Sequence, residues 1–121
     1  MLDSIDWEIL RLLQDNARIT NIDLSKAIGL SPSPSLARVK ALEQSGYISR
    51  YVSLVDSLKV GLKVSVFINV ALERQVESAL ERFEESIQSR PEVMECYLMT
   101  GESDYLLRVV VADIQALEDF I

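Results

Sequence analysis

The sequence predicts an α+β chain made of three short helices followed by a β-α-β-β-α segment. Three observations lead there. Apolar residues recur at helical spacing from Leu2 to Leu42, the period drops to two from Leu62, and alternating and helical stretches then take turns. The change of period falls at Lys59-Val60-Gly61 and divides the chain into 1–58 and 59–121.

In the first part, Leu2, Ile5, Ile9, Leu12 and Leu13 give one apolar helical face. Trp7 sits about 165° from its centre, either as a lone exposed aromatic or as a seat for a neighbouring subunit or domain. A second helix is expected from Thr20, whose hydroxyl caps the free amides, with Asp23 three residues on. Its buried stripe is Leu24, Ala27 and Ile28, and Gly29 ends it. Ser31 caps a third helix with Pro32 at its first position, where a missing N–H is harmless. Leu36, Val39 and Leu42 form its inner face, and Ser45-Gly46 stops it. Residues 47–55 alternate loosely with β-branched and aromatic side chains, a strand signal. Together these elements read as a winged helix-turn-helix.

In the second part, Val64, Val66, Ile68, Val70 and Leu72 mark a half-buried strand. Val76, Leu80, Phe83 and Ile87 follow at helical spacing with glutamates outside, and Pro91 closes that helix. Strands are expected over Val93–Met99 and Tyr105–Val111, and Asp113 caps a last helix through Ile114, Leu117 and Phe120. The order is that of a ferredoxin-like split βαβ sandwich, βαββα(β), lacking its last strand. A sheet with one face covered by helices wants a partner, so a homodimer or higher homo-oligomer is expected.

Charge and composition narrow the function. The chain contains no histidine, the commonest general base and transition-metal ligand, so neither enzyme chemistry, a metal nor a cofactor is expected. The net charge of −7 is unevenly spread: residues 1–58 carry six Lys/Arg against seven Asp/Glu, and residues 59–121 carry six against twelve. The first part therefore tolerates DNA and the second repels it. The longest apolar run, Leu106 to Ala112, is broken by Arg108, well short of the roughly 20 residues of a membrane span. An acidic N-terminus and a single cysteine, Cys96, fit a cytoplasmic protein, with Cys96 packed in its strand.

With Leu36, Val39 and Leu42 inward, the third helix turns Ser33, Pro34, Ala37 and Ala41 outward and flanks them with Arg38 and Lys40. Ser33 suits a base edge or a phosphate, and Arg38 a guanine or a phosphate. Ser31 and the helix N-terminal amides suit a phosphate oxygen, and Arg50 a backbone contact. The bland alternative is a helical hairpin that only dimerises, its cations solvated. So few cations imply weak binding by one module, so that a dimer on paired half-sites of a palindromic double-stranded operator is expected.

The turn Gly101-Glu102-Ser103-Asp104-Tyr105 also has two readings. It is either a plain strand-strand turn, or a seat in which Asp104 holds an ammonium and the amides around Gly101 hold a carboxylate.

Leu2-Asp3-Ser4-Ile5-Asp6-Trp7-Glu8-Ile9-Leu10, Leu24-Ser25, Ile28 to Pro34, Arg38 to Ile48, and Gly101 to Tyr105 occur in the order seen in one family. The chain resembles the leucine-responsive/AsnC-type ("feast/famine") transcriptional regulators over its whole length. The resemblance implies a DNA-binding regulator of amino-acid metabolism whose assembly responds to an amino-acid effector. It implies effector contacts at Gly101, Glu102, Asp104 and Tyr105, with Tyr97, Met99 and Thr100 beside them in a pocket between dimers. Family members are usually longer, so the effector domain is expected to be C-terminally incomplete. The alternatives are a ligand-independent architectural DNA-binding protein and, remotely, an enzyme like the sirohaem decarboxylases, whose site is expected to need histidines.

Overall fold

The computed structural model describes residues 1–73, 76–101 and 103–121. It divides into two compact units, Met1–Ser53 and Leu54–Ile121.

The first unit holds α1 (Ser4–Asp15), α2 (Asn21–Ile28) and α3 (Pro32–Gln44). Helix α1 starts at Ser4, two residues later than its apolar stripe, because Asp3 and Asp6 close a reciprocal capping box. The Asp6 N–H donates to Asp3 Oδ1 at 2.8 Å and the Asp3 N–H to Asp6 Oδ2 at 3.3 Å. Thr20 caps α2 by accepting from the Asp23 N–H at 3.1 Å. Gly29, at φ +73°, makes the left-handed turn into α3, and the Leu30 N–H donates to Ser25 O at 2.9 Å. Ile9, Leu24 and Leu42 are fully buried at the centre, with Ile5, Leu13, Ile28, Val39 and Ile48 packed around them. Each such central side chain stabilises the unit by about 1.5–3 kcal/mol through the area it removes from water.

Three expectations need correction. Leu36 is 43% exposed, whereas Ser35 is fully buried; the inner stripe of α3 runs Ser35, Val39, Leu42. Ala27 is exposed and Ser25 takes its place, its hydroxyl donating to Ile22 O at 2.7 Å. Residues 47–55 form no strand: their alternation is real, but no segment among the described residues lies alongside to complete a ladder. Tyr51, Val52, Leu54 and Val55 are left exposed.

The second unit holds β1 (Val64–Val70), α4 (Glu77–Gln88), β2 (Val93–Leu98), β3 (Tyr105–Val111) and α5 (Ile114–Phe120). The sheet order is β1-β3-β2, antiparallel throughout, so β1 and β2 run parallel on either side of β3, as a split βαβ requires. The pleat sorts the side chains. Leu107, Val109 and Val111, with Val64, Val66 and Ile68, face Phe83 and Ile87 of α4 and Ala116, Leu117 and Phe120 of α5. Arg90 lies 4.3 Å over the Phe120 ring and links the end of α4 to α5. Ser65, Phe67, Asn69, Leu106, Arg108, Glu95 and Tyr97 alternate onto the opposite face, where Phe67 is 65% exposed.

Replacing Leu42 by Ala should destabilise the first unit by about 2–5 kcal/mol. Leu36→Ala should cost about 1 kcal/mol or less, because that side chain already meets water. Denaturant unfolding followed by the fluorescence of Trp7, the single tryptophan, checks both; equal losses would restore Leu36 to the core.

Candidate nucleic-acid interface and effector turn

Helix α3 presents one polar face. Measured from its buried stripe, Ser33, Ala37 and Lys40 lie about 140–200° away, and all three are exposed. Pro34 and Ser31 are also exposed, and the Ser31 hydroxyl makes no cap bond to the helix. The N-terminal amides are fewer than a generic helix provides. Pro32 and Pro34 have no N–H, and the Ser35 N–H is taken by Ser31 O at 3.2 Å, which leaves Ser33 as the free donor of the first turn. Arg50 is exposed in the segment without regular structure.

Two polar contacts grip α3 from the other side. Asn21, at the start of α2, donates to Pro32 O at 2.8 Å and accepts from the buried Ser35 hydroxyl at 3.0 Å. Arg38, about 60° from the buried stripe, reaches the N-terminal turn of α1. Its Nη1 donates to Asp3 Oδ1 and Oδ2 at 2.8 and 2.7 Å and to Asp6 Oδ1 at 3.1 Å. The Arg38 hydrogen bond, and then the Asp6 N–H, hold the Asp3 carboxyl below its ordinary range. Arg38 is thus not the free flanking cation that its place on the helix suggests. No local pattern signals either grip, since each joins residues more than ten positions apart.

The turn after β2 behaves differently from a single pocket. Gly101, at φ +110°, takes a conformation that side chains disfavour. Asp104 is buried: its Oδ2 accepts from the Leu72 N–H at 2.6 Å, and its own N–H donates to Val70 O at 2.9 Å. It therefore clasps the exit of β1 to the turn. Tyr105 is fully buried on the helix-covered face; its hydroxyl donates to Glu84 Oε1 at 2.7 Å and its ring lies 4.6 Å from that of Phe83. Burial first, then Glu84, pushes the Tyr105 phenol up to about 12. Tyr97 is exposed on the opposite face and donates to Glu95, which also pairs with Arg108 Nε at 2.7 Å. Met99, Thr100 and Gly101 are exposed between them, and Glu102 lies outside the described residues. Within one chain, Tyr97 and Tyr105 do not converge. The alternation Tyr105, Leu107, Val109, Val111 is the sequence signal that places Tyr105 inward.

A depression of about 260 Å³ is lined by Glu84, Ile87, Gln88, Cys96, Leu98 and Tyr105. Cys96 is exposed there rather than packed, and desolvation, then Glu84, raises its thiol, which disfavours the reactive thiolate. Trp7 is 62% exposed in an apolar groove with Met1, Leu2, Leu10 and Tyr47. Among the described residues, no cluster of three or more His, Cys, Asp or Glu is placed to hold a metal ion, and no helix is long and apolar enough to cross a membrane.

Both parts of the chain match known families. Residues 2–49 match the family described as "Winged helix-turn-helix DNA-binding", and residues 65–121 match the "Lrp/AsnC ligand binding domain". The Bkd operon transcriptional regulator of Pseudomonas aeruginosa is 46% identical over 120 residues, covering 99% of this chain and 78% of its own length. The leucine-responsive regulatory protein of Haemophilus influenzae is 44% identical, covering 93% of this chain and 68% of its own. A transcriptional regulator of Neisseria meningitidis, solved as its L-Met complex, superposes with a TM-score of 0.94 at 42% identity, covering 99% of this chain and 77% of that one.

Asn21→Ala should destabilise the first unit by about 1–3 kcal/mol, because the buried Ser35 hydroxyl loses its partner; an unchanged midpoint of Trp7-monitored unfolding would contradict the grip. Tyr105 keeps its proton more tightly when folded than when unfolded. Its contribution is therefore complete below about pH 10 and disappears as the pH rises toward about 12. Wild-type stability should fall more steeply than that of Tyr105→Phe across this window in pH-dependent denaturation, and parallel curves would count against it.

Proposed function

The chain belongs to the Lrp/AsnC family of DNA-binding transcriptional regulators, and from that premise we propose that α3 reads double-stranded DNA while the second unit pairs copies of the chain and senses an amino acid. The carrying observation is the outward face of α3. Ser33, Ala37 and Lys40 are exposed opposite the buried stripe, on a helix held from behind by α1 and α2. Ser33 meets a base edge, Ala37 and Pro34 allow close approach, and Ser31, Lys40 and Arg50 take phosphates.

One such face carries few cations, so useful affinity comes from a homodimer on a palindromic operator. Two features support the dimer. The sheet leaves Phe67, Leu106 and Tyr97 on a face that neither α4 nor α5 covers, and Tyr51, Val52, Leu54 and Val55 are exposed in a segment without regular structure. A regulator of this kind works in the cytoplasm, with the DNA it reads.

The effector is an amino acid, supported by the L-Met complex of the Neisseria relative. Its seat draws on Tyr97, Met99, Thr100, Gly101, Glu102 and Asp104, with Tyr105 anchoring the turn from inside. Because Tyr97 and Tyr105 face opposite ways, the seat closes only where copies of the chain meet. Ligand then favours one assembly, and that assembly sets the spacing of the α3 helices.

Lys40→Gln should weaken binding to every duplex by a similar factor and lower the slope of log affinity against log salt by about one. Fluorescence anisotropy over a salt series checks this, and an unchanged slope would remove Lys40 from the phosphate contacts. Calorimetry with the twenty amino acids, alongside light scattering, should show heat and a change of assembly for at least one; a folded sample silent to all of them would favour ligand-independent architectural binding instead.

A further inference from the structure

We propose that Arg38 is a positioning residue for DNA recognition: with Asp3 and Asp6 it forms a charge clamp that sets the rotation of α3 about its own axis, and it does not itself touch DNA. The inference rests on α3 being the reading helix.

Apolar packing alone holds this helix weakly. Of its inner stripe only Leu42 is a fully buried large side chain; Ser35 is polar, Val39 is half-buried, and Leu36 faces water. A helix with so thin a stripe rolls easily, and a roll of some tens of degrees would turn Ser33 and Lys40 away from a duplex. The Arg38 guanidinium supplies the missing constraint. It meets Asp3 through both carboxylate oxygens and Asp6 through one, and those two carboxylates are themselves fixed by the capping box of α1. All three oxygens meet the same Nη1, whose two N–H groups are shared among them, so the clamp fixes the position of that nitrogen over the first turn of α1 and with it the side of α3 that faces α1.

The same geometry argues against base reading by Arg38. Reaching a base would strip the guanidinium from two carboxylates, one of which, Asp6, is only 17% exposed. It would leave two negative charges beside the phosphates. The clamp therefore predicts a sign that simple electrostatics does not. Neutralising Asp3 removes a charge that repels DNA, yet it should weaken specific binding because it frees α3 to roll.

The test uses the full chain and two duplexes, one enriched by the wild-type protein from a randomised pool and one unenriched duplex of equal length. Arg38→Gln and Asp3→Asn should each weaken the enriched duplex about 10-fold and change the unenriched one less than about 2-fold. Their double variant should be no weaker than the worse single one. The salt slope of Arg38→Gln should stay at the wild-type value, and Arg38→Lys should recover part of the loss. A slope lowered by about one in Arg38→Gln, or tighter binding by Asp3→Asn, would overturn the proposal. Melting temperatures of the wild type, the two single variants and the double variant test the clamp without DNA: non-additive losses support it and additive losses overturn it. Failure of the wild-type chain to enrich any duplex would instead overturn the reading of α3, and the melting cycle would then decide the clamp by itself.

Discussion

The constraint on which the proposed function depends is the orientation of one short helix. Helix α3 has a narrow buried stripe, so its outward face is defined less by hydrophobic burial than by polar contacts from its neighbours. Asn21 holds the first turn, and the carboxylates of Asp3 and Asp6 hold the middle through Arg38. Gly29 brings the chain from α2 into α3 within a few residues. Ser33, Ala37 and Lys40 share one face of the helix, and these contacts set how that face is turned against the rest of the unit.

The second unit solves a different problem. Its central strand β3 buries one row of side chains under α4 and α5 and sets the other row on the face that these two helices leave uncovered. Arg108, Glu95 and Tyr97 form a hydrogen-bonded group among Phe67 and Leu106 on that face. A sheet dressed on one side only is a natural surface for a second copy, and the effector turn lies at its edge. In the proposed reading, assembly and ligand sensing would share this element, and an effector bound there would alter the spacing of the reading helices without touching DNA.

Most of the secondary structure was legible because its causes are local. Thr20, Asp113 and Gly29 act within a few residues, and the change from period 3.6 to period 2 is visible along the chain. What stayed hidden depends on distance. Hydrophobicity favours Leu36 over Ser35 as the buried position, and the Asn21 side chain that satisfies the buried Ser35 hydroxyl comes from 14 residues away. The residues 47–55 alternate as a strand would, but a strand needs a partner that the alternation does not reveal. The pairing of Arg38 with Asp3 and Asp6 is equally invisible locally, because it joins residues 35 and 32 positions apart. The Leu72 N–H that holds the Asp104 carboxylate lies 32 positions away, so no local pattern announces that contact, whereas the inward turn of Tyr105 follows the alternation of β3.

Amide chemical-shift mapping, as an enriched duplex is titrated into the labelled chain, probes the reading face itself. The largest shifts should cluster at Ser31, Ser33, Ala37 and Lys40, with little change along the glutamate-rich α4. Shifts concentrated on α4 or around Trp7, with residues 31–40 unmoved, would contradict an outward-facing α3 as the element that meets DNA.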